Sequence, residues 1–459
     1  MTENTPASAD IIRLENELNS FDASERAEAL CRLADLAQTR AVRLPSEKAE
    51  VNLHYHTFFS YNGSGWSPSR IAWEARKYGL AAAGIVDFDV LDGMEEFLAA
   101  GEIVKLRTTA ALETRVFLDE FSEHVINSPN EPGITYFMAG GCFQLPNAGS
   151  KAAEKLQAMR DMASRRNVQM MERVNEYLDK VRLDYAADVL PLTPSGNATE
   201  RHMLAAYDAK ARQVFDGNEA GLESFWADAL EISADDARAL LADTPKLHEK
   251  MRSKLMKFGG VGYVAPSPET FPTIEWTIDM INEIEALPTA TWLDGTNPGE
   301  SNMRAMLELL SYKGVVAMNI VPDRNWNIKN PGEKAIKVAN LGKAVQAAKD
   351  TDFPIIVGTE MNKGGLPFVD DFSAPELQPY VADFLDGAYF FWGHTFLART
   401  AGIGYASDWA EAHFDDRKRK NEFYTRVGRL AAADESRVMF AGRDLRSASP
   451  NDILRALGA

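Results

Sequence analysis

The chain has 459 residues, 45% of them hydrophobic and 10% aromatic, which suits one large domain with a packed core and an insertion or appendage. A net charge of −18 excludes a long nucleic-acid partner, because phosphate backbones would be repelled over most of the surface. No apolar run approaches the ~20 residues that cross a bilayer, Met1–Asn4 begins no signal-peptide pattern, and Cys31 and Cys142 offer no disulfide framework; a cytoplasmic protein acting on a small molecule, away from membranes, is expected.

Residues 9–40 carry apolar positions at helical spacing, with Asp22-Ala23-Ser24-Glu25 as a capping signal ahead of Leu30, Leu33 and Leu36, so 1–48 is predicted to be a helical arm. Val51-Asn52-Leu53-His54-Tyr55-His56-Thr57 follows, and as a strand it turns His54 and His56 to the same side. Two of the chain's seven histidines sit there, in a metal-ligand geometry that a pair at the end of an ordinary strand would also produce. Further strands are predicted near 81–87, 108–117, 134–140, 288–293, 314–320 and 354–360. Their separation by helical segments predicts parallel pairing. Carboxylates cluster where these strands end, at Asp87, Asp89, Glu113 and Glu360, and parallel barrels gather their catalytic groups at that end.

Between the two strand groups, residues 149–255 are almost purely helical in pattern. Met170, Met171, Val174, Leu178 and Val181 share one face, a stripe expected to be core. Beyond 370 comes the aromatic run Tyr389-Phe390-Phe391-Trp392-Gly393-His394 and then helices to the end. His394 has no partner at metal-ligand spacing and is expected to be packed.

The ordered motifs resemble the PHP (polymerase and histidinol phosphatase) metal-dependent phosphoesterases. That family opens with Asp-Leu-His-x-His-Thr, then Ser, Gly and Ser-Pro before a helix; here stand Asn52-Leu53-His54-Tyr55-His56-Thr57, Ser60, Gly63 and Ser67-Pro68. Its second motif matches Gly79-Leu80 and Ile85-Val86-Asp87-Phe88-Asp89-Val90-Leu91-Asp92-Gly93, and its strand ending in Glu matches Glu113. The resemblance covers roughly 51–365. It implies an α/β fold, a distorted (β/α)7 barrel over 49–148 and 256–370, with a helical subdomain inserted at 149–255 and a helical extension at 371–459 packed on the barrel.

Departures from the family bear on the metal. Phe88 replaces a histidine ligand, Thr291-Trp292-Leu293-Asp294-Gly295 lacks the histidine of a His-Pro-Gly motif, and Gly358-Thr359-Glu360-Met361-Asn362 stands for Gly-Ser-Asp-x-His. The resemblance therefore implies one divalent ion (zinc, manganese or iron) on His54, His56, Glu113 and Glu360. A second ion would have oxygen donors only, among them Asp87, Asn62, Asp294 and Asn362. Asp87 is the expected group to orient or deprotonate the attacking water, and Arg201, beside His202 at a helix start in the insertion, the expected phosphate contact. Arg324 and Lys363 are further candidate substrate contacts. The activity so implied is hydrolysis of a small phosphorylated metabolite or nucleotide. The lost histidines leave two alternatives: a single-metal enzyme acting on a carbohydrate or amide, and a binding protein that has kept the barrel and lost turnover.

Overall fold

The computed structural model describes residues 8–433 and 445–459. Seven strands, β1 (Val51–Tyr55), β2 (Ala82–Phe88), β3 (Arg107–Phe117), β4 (Ile134–Cys142), β5 (Leu287–Trp292), β6 (Ala317–Ile320) and β7 (Ile355–Val357), pair side by side in chain order. The two outer strands then meet. Tyr55 bridges Glu360 in parallel, the Glu360 N–H donates to the His54 carbonyl and the His56 N–H donates to the Glu360 carbonyl, each at 2.8 Å. The result is a nearly closed, distorted α/β barrel.

Pairing is parallel for β1–β2–β3 and for β5–β6–β7, but β4 runs antiparallel to both β3 and β5. This corrects the expectation of parallel pairing throughout. Residues 118–133 hold one 3-10 turn, Asp119–Phe121, and no helix; a parallel return needs a crossover of a dozen or more residues, usually helical, whereas a folded-back loop delivers an antiparallel neighbour.

Helices α1 (Ser8–Glu17) and α2 (Ala23–Gln38) form the arm. Asp22 caps α2 by accepting from the N–H groups of Ser24 and Glu25. Leu14, Leu18, Leu30 and Leu33 join the barrel's own apolar core, and Arg26 Nε donates to Glu96 at 2.9 Å. After β1, Ser67 caps α3 (Pro68–Tyr78), with Pro68 in its first turn and Gly79 ending it at φ +92°; α4 (Met94–Val104) follows β2.

Between β4 and β5 lie α5 (Lys151–Leu178), α6 (Glu200–Val214), α7 (Glu219–Leu230), α8 (Ala234–Leu241), α9 (Thr244–Met251) and then α10 (Ile274–Glu283). The stripe Met170, Met171, Val174, Leu178 and Val181 packs with Trp226, Leu247 and Leu255 in an apolar cluster separate from the barrel core. That is the role the helical spacing predicts for it.

The second half adds α11 (Met303–Tyr312), α12 (Asp323–Trp326), α13 (Pro331–Asp350), α14 (Val381–Ala401), α15 (Asp408–His413), α16 (Arg417–Leu430) and α17 (Pro450–Ala456). Helix α14 is buried over most of its middle, from Phe390 to Ala398, which fits a helix enclosed by protein, and it touches β1, β2, β3, β4 and β7. His394 on α14 is indeed packed: its Nδ1 accepts from the Tyr405 N–H at 2.9 Å, and its Nε2 lies 3.0 Å from the Gly141 carbonyl. No helix among the described residues is long and apolar enough to cross a membrane.

Helices α14 and α16 cross at backbone contact. A Cβ on Gly393 would lie 2.0 Å from the Tyr424 carbonyl oxygen, and one on Gly428 would lie 1.8 Å from that of Tyr389. Neither obstacle can swing aside, since both are helix backbone. Gly428→Ala is therefore expected to destabilise the fold by about 1–3 kcal/mol through overpacking, read as a lowered denaturant midpoint; an unchanged midpoint would mean that the crossing is looser than this.

Candidate metal centre

Strand β1 turns both histidines inward, and Glu113 of β3, one strand beyond the neighbouring β2, reaches them. His54 Nε2 lies 3.3 Å from His56 Nε2, and Glu113 Oε2 lies 3.8 Å from the first and 3.6 Å from the second. All three side chains are buried. Their donor atoms lie within 4.8 Å of one another, a spacing at which one ion can be shared.

The outer nitrogens decide what faces the gap. His54 Nδ1 lies 3.2 Å from Asn319 Oδ1 and so carries its proton on that side. His56 Nδ1 lies 3.1 Å from Ser60 Oγ, whose own hydroxyl donates to Asp87 Oδ1 at 2.7 Å, so Ser60 accepts from the ring. Both Nε2 atoms then present lone pairs to each other across 3.3 Å. Lone pairs do not converge at that distance without a cation between them, either a proton on one ring or a metal ion. Metal–nitrogen bonds of about 2.0–2.1 Å at a tetrahedral angle place two nitrogens about 3.3 Å apart. The donor set therefore fits a divalent ion, and the partners of the outer nitrogens fix the tautomers that metal binding requires.

Burial and the two nearby carboxylates act on the rings in opposite senses. Burial lowers the proton affinity of His54, but the adjacent Glu113, then Glu360, more than offset this and raise it. Burial and the neighbouring His54 hold His56 well below the ordinary histidine range, hence neutral and ready to coordinate. Burial raises the Glu113 carboxyl, with His54 opposing.

Glu360 is beside this group but not within it. Burial would raise its carboxyl, yet Arg324, His54 and His56 together outweigh burial and hold it at about 2, with Arg324 Nη2 donating to Oε2 at 3.1 Å and Oε1 at 3.4 Å. The four-ligand set expected from the motifs is thus three converging ligands and a fourth carboxylate engaged by arginine. Glu360 and Met361 both take left-handed backbone, φ +64° and +50°, as does Asp89 at +60°. Such conformations are costly for these residues and collect at functional sites.

Other expected site residues have different posts. Asp87 faces away from the cavity, because its neighbour Phe88 faces into it and side chains alternate along a strand. Phe88 stacks on the His56 ring with centroids 4.2 Å apart, while Asp87 accepts from the Thr57 N–H, the Thr57 hydroxyl and the Ser60 hydroxyl. It positions the ring of His56 and is not placed to deprotonate a water. Burial, against those three hydrogen bonds, raises its carboxyl to about 6.

Asn62 folds its own loop, donating to the His56 carbonyl and accepting from the N–H groups of Ser64 and Trp66. Asp294 accepts from Thr296 and pairs with Lys337 at 3.2 Å. His202 caps α6, accepting from the Thr199 N–H, and burial pushes it down to about 4. None of these three lines the cavity that opens at Glu113 and Phe88. Gly63 lets the loops meet: a Cβ there would lie 2.2 Å from the backbone of Lys363.

At Glu113 and Phe88 opens a cavity of about 520 Å³, walled by strand ends on one side and by α5, α6 and the 252–264 segment on the other. Arg201, Arg324, Asn362 and Lys363 line it, and Arg201 also pairs with Glu249. Sequence reasoning missed Arg115, Arg166, Arg252, Lys257 and Tyr136, which line it too. Arg115 was within reach, since it follows Glu113 by two along β3. Arg166 and Arg252 sit in helices whose amphipathic pattern gives no sign of the cavity. Seven arginines and lysines line the space against five carboxylates, in a chain of net charge −18.

No family model matches the chain, and no curated protein matches it. Among solved structures it is similar to an amidohydrolase from Chromobacterium violaceum with bound sulfate and no metal, at 12% identity and a TM-score of 0.48, covering 74% of this chain and 96% of that one. It is also similar to a candidate metal-dependent phosphoesterase from Bifidobacterium adolescentis, at 17% identity and a TM-score of 0.44, covering 73% and 97%. At such identities the chemistry of this chain is read from its own residues.

Asp87→Asn places an amide where the Ser60 relay ends, and loss of such an outer partner is expected to weaken zinc or manganese binding about 10–100-fold. Calorimetric titration of the purified protein measures it; unchanged affinity would mean that Asp87 does not set the tautomer of His56.

Proposed function

We propose that the chain is a metal-dependent hydrolase of the PHP type that cleaves a small phosphate ester, with one divalent ion held by His54, His56 and Glu113. The observation that supports this most directly is the excess of cationic groups around a cavity that reaches Glu113 of that ligand set, in a protein otherwise strongly acidic. A divalent ion there supplies a Lewis acid and a water of lowered pKa. The protein's own groups do the rest. Arg201 and Lys363 stand at the cavity wall to hold the anionic part of the substrate. Ser60, Asp87 and Asn319 keep both rings in the tautomer that coordinates. Phe88 excludes water from one face of His56.

A second reading is single-metal hydrolysis of a carboxylate-bearing amide, favoured by Phe88 occupying the place where the family has a histidine ligand. Both substrates are small anions, and one panel separates them. In metal-loaded protein, phosphate monoesters are expected to be hydrolysed and carboxylate-bearing amides to be left intact, with His56→Ala lowering turnover by at least ~100-fold. Turnover of amides alone would replace the first reading by the second, and turnover that survives His56→Ala would sink both.

A further inference from the structure

Among the described residues, Arg324 is the one basic residue joined directly to the carboxylate of the barrel closure. It lies on α12, directly after β6, and the turn that carries it is pinned from below: Asn325 Nδ2 donates to the Leu293 carbonyl at 2.8 Å and to the Val321 carbonyl at 3.2 Å. Of its donors, Nη2 is bonded to Glu360, whereas Nε and Nη1 have no hydrogen-bond partner among the described residues. Close to half of its side-chain surface remains exposed, on the wall of the cavity that holds Glu113 and Glu360. An anchored guanidinium with donors to spare, facing a cavity, is a preformed anion contact.

Its placement also bears on the second ion that the motifs left open. Every oxygen donor expected to hold such an ion is committed elsewhere, except Asn362. Asp87 is turned toward Thr57 and Ser60, Asn62 closes its own loop, Asp294 pairs with Lys337, and Glu360 is held by Arg324 itself. Where a second metal would stabilise charge on the reacting group, this chain has a fixed organic cation.

We propose that Arg324 is a catalytic residue of this site, serving as the second positive charge opposite the single ion: Glu360 orients it, and its free donors bind the anionic group under attack. This rests on the hydrolase reading above. It adds that the site is built for one ion plus one guanidinium. No covalent step is assigned to Arg324, which holds charge and transfers nothing.

The test compares wild type, Arg324→Ala, Arg324→Lys and His54→Ala by metal content and by calorimetric affinity for inorganic phosphate, each in manganese-loaded and chelator-stripped protein, with melting temperatures to confirm folding. Arg324→Ala is expected to keep the wild-type metal content and to bind phosphate about 10–100-fold more weakly in both states, as for loss of charge-assisted hydrogen bonds. Arg324→Lys, a point charge without the planar fork, should recover only part of that affinity, and added guanidinium chloride should partly restore Arg324→Ala. Phosphate affinity within twofold of wild type in Arg324→Ala would overturn the proposal. So would a second ion taken up by that variant with phosphate affinity retained, which would make Arg324 a mere occupant. The stripped-protein arm keeps the two readings apart: if wild type binds no metal, the hydrolase reading fails, and the guanidinium contact is still judged by Arg324→Ala.

Discussion

Two backbone hydrogen bonds between the first and last strands carry the site. The Glu360 N–H reaches the His54 carbonyl and the His56 N–H reaches the Glu360 carbonyl, each at 2.8 Å. They close the barrel at its functional end, and they set a carboxylate from residue 360 against two imidazoles from the fifties. Strand β7 is only three residues long, and its chain leaves the closure in left-handed backbone. Such a junction cannot hold itself together. Helix α14 supports it from beneath, with Gly387 so close that a Cβ there would lie 1.7 Å from the Ile355 carbonyl oxygen. Packing at the closed end thus determines geometry at the open one.

Charge is distributed against the trend of the whole chain. The surface is acidic, yet the insertion and the strand ends point Arg115, Arg166, Arg201, Arg252, Lys257, Arg324 and Lys363 into one cavity. Some of these cations are neutralised locally: Glu200 pairs with Arg252 and Lys257, and Glu131 with Arg115. Arg166 has no carboxylate within ion-pair distance among the described residues. Bringing like charges together costs free energy that a bound anion would recover, which is the physical basis of the proposal that the guest is an anion.

The reach of the sequence differed from one part of the site to another, for identifiable reasons. His-x-His on a strand is a local pattern, and strand periodicity alone brings the two rings to one side. Ser67-Pro68 as a helix start and the apolar stripe on α5 are equally local, and both stand in the structure as the pattern implies. Asp87 misled because a strand end offers two faces, and the motif does not say which one the carboxylate takes; Phe88 beside it claims the cavity. The antiparallel β4 followed from a missing helix in 118–133, a signal visible in the sequence but overridden by the general alternation. Arg166 and Arg252 could not be found locally, because what brings them to the site is the docking of the insertion over the barrel. The engagement of Glu360 by Arg324 is also a tertiary fact, formed between residues 36 apart in the chain.

The claim that everything else leans on is that His54 and His56 share one metal ion through their Nε2 atoms. X-ray absorption at the metal edge, on protein purified without chelator, tests it most directly. The account predicts a first shell of two imidazole nitrogens at about 2.0–2.1 Å with oxygen donors completing it, and no metal–metal scattering. A shell of oxygens alone, without the outer-ring scattering of histidine, would contradict it.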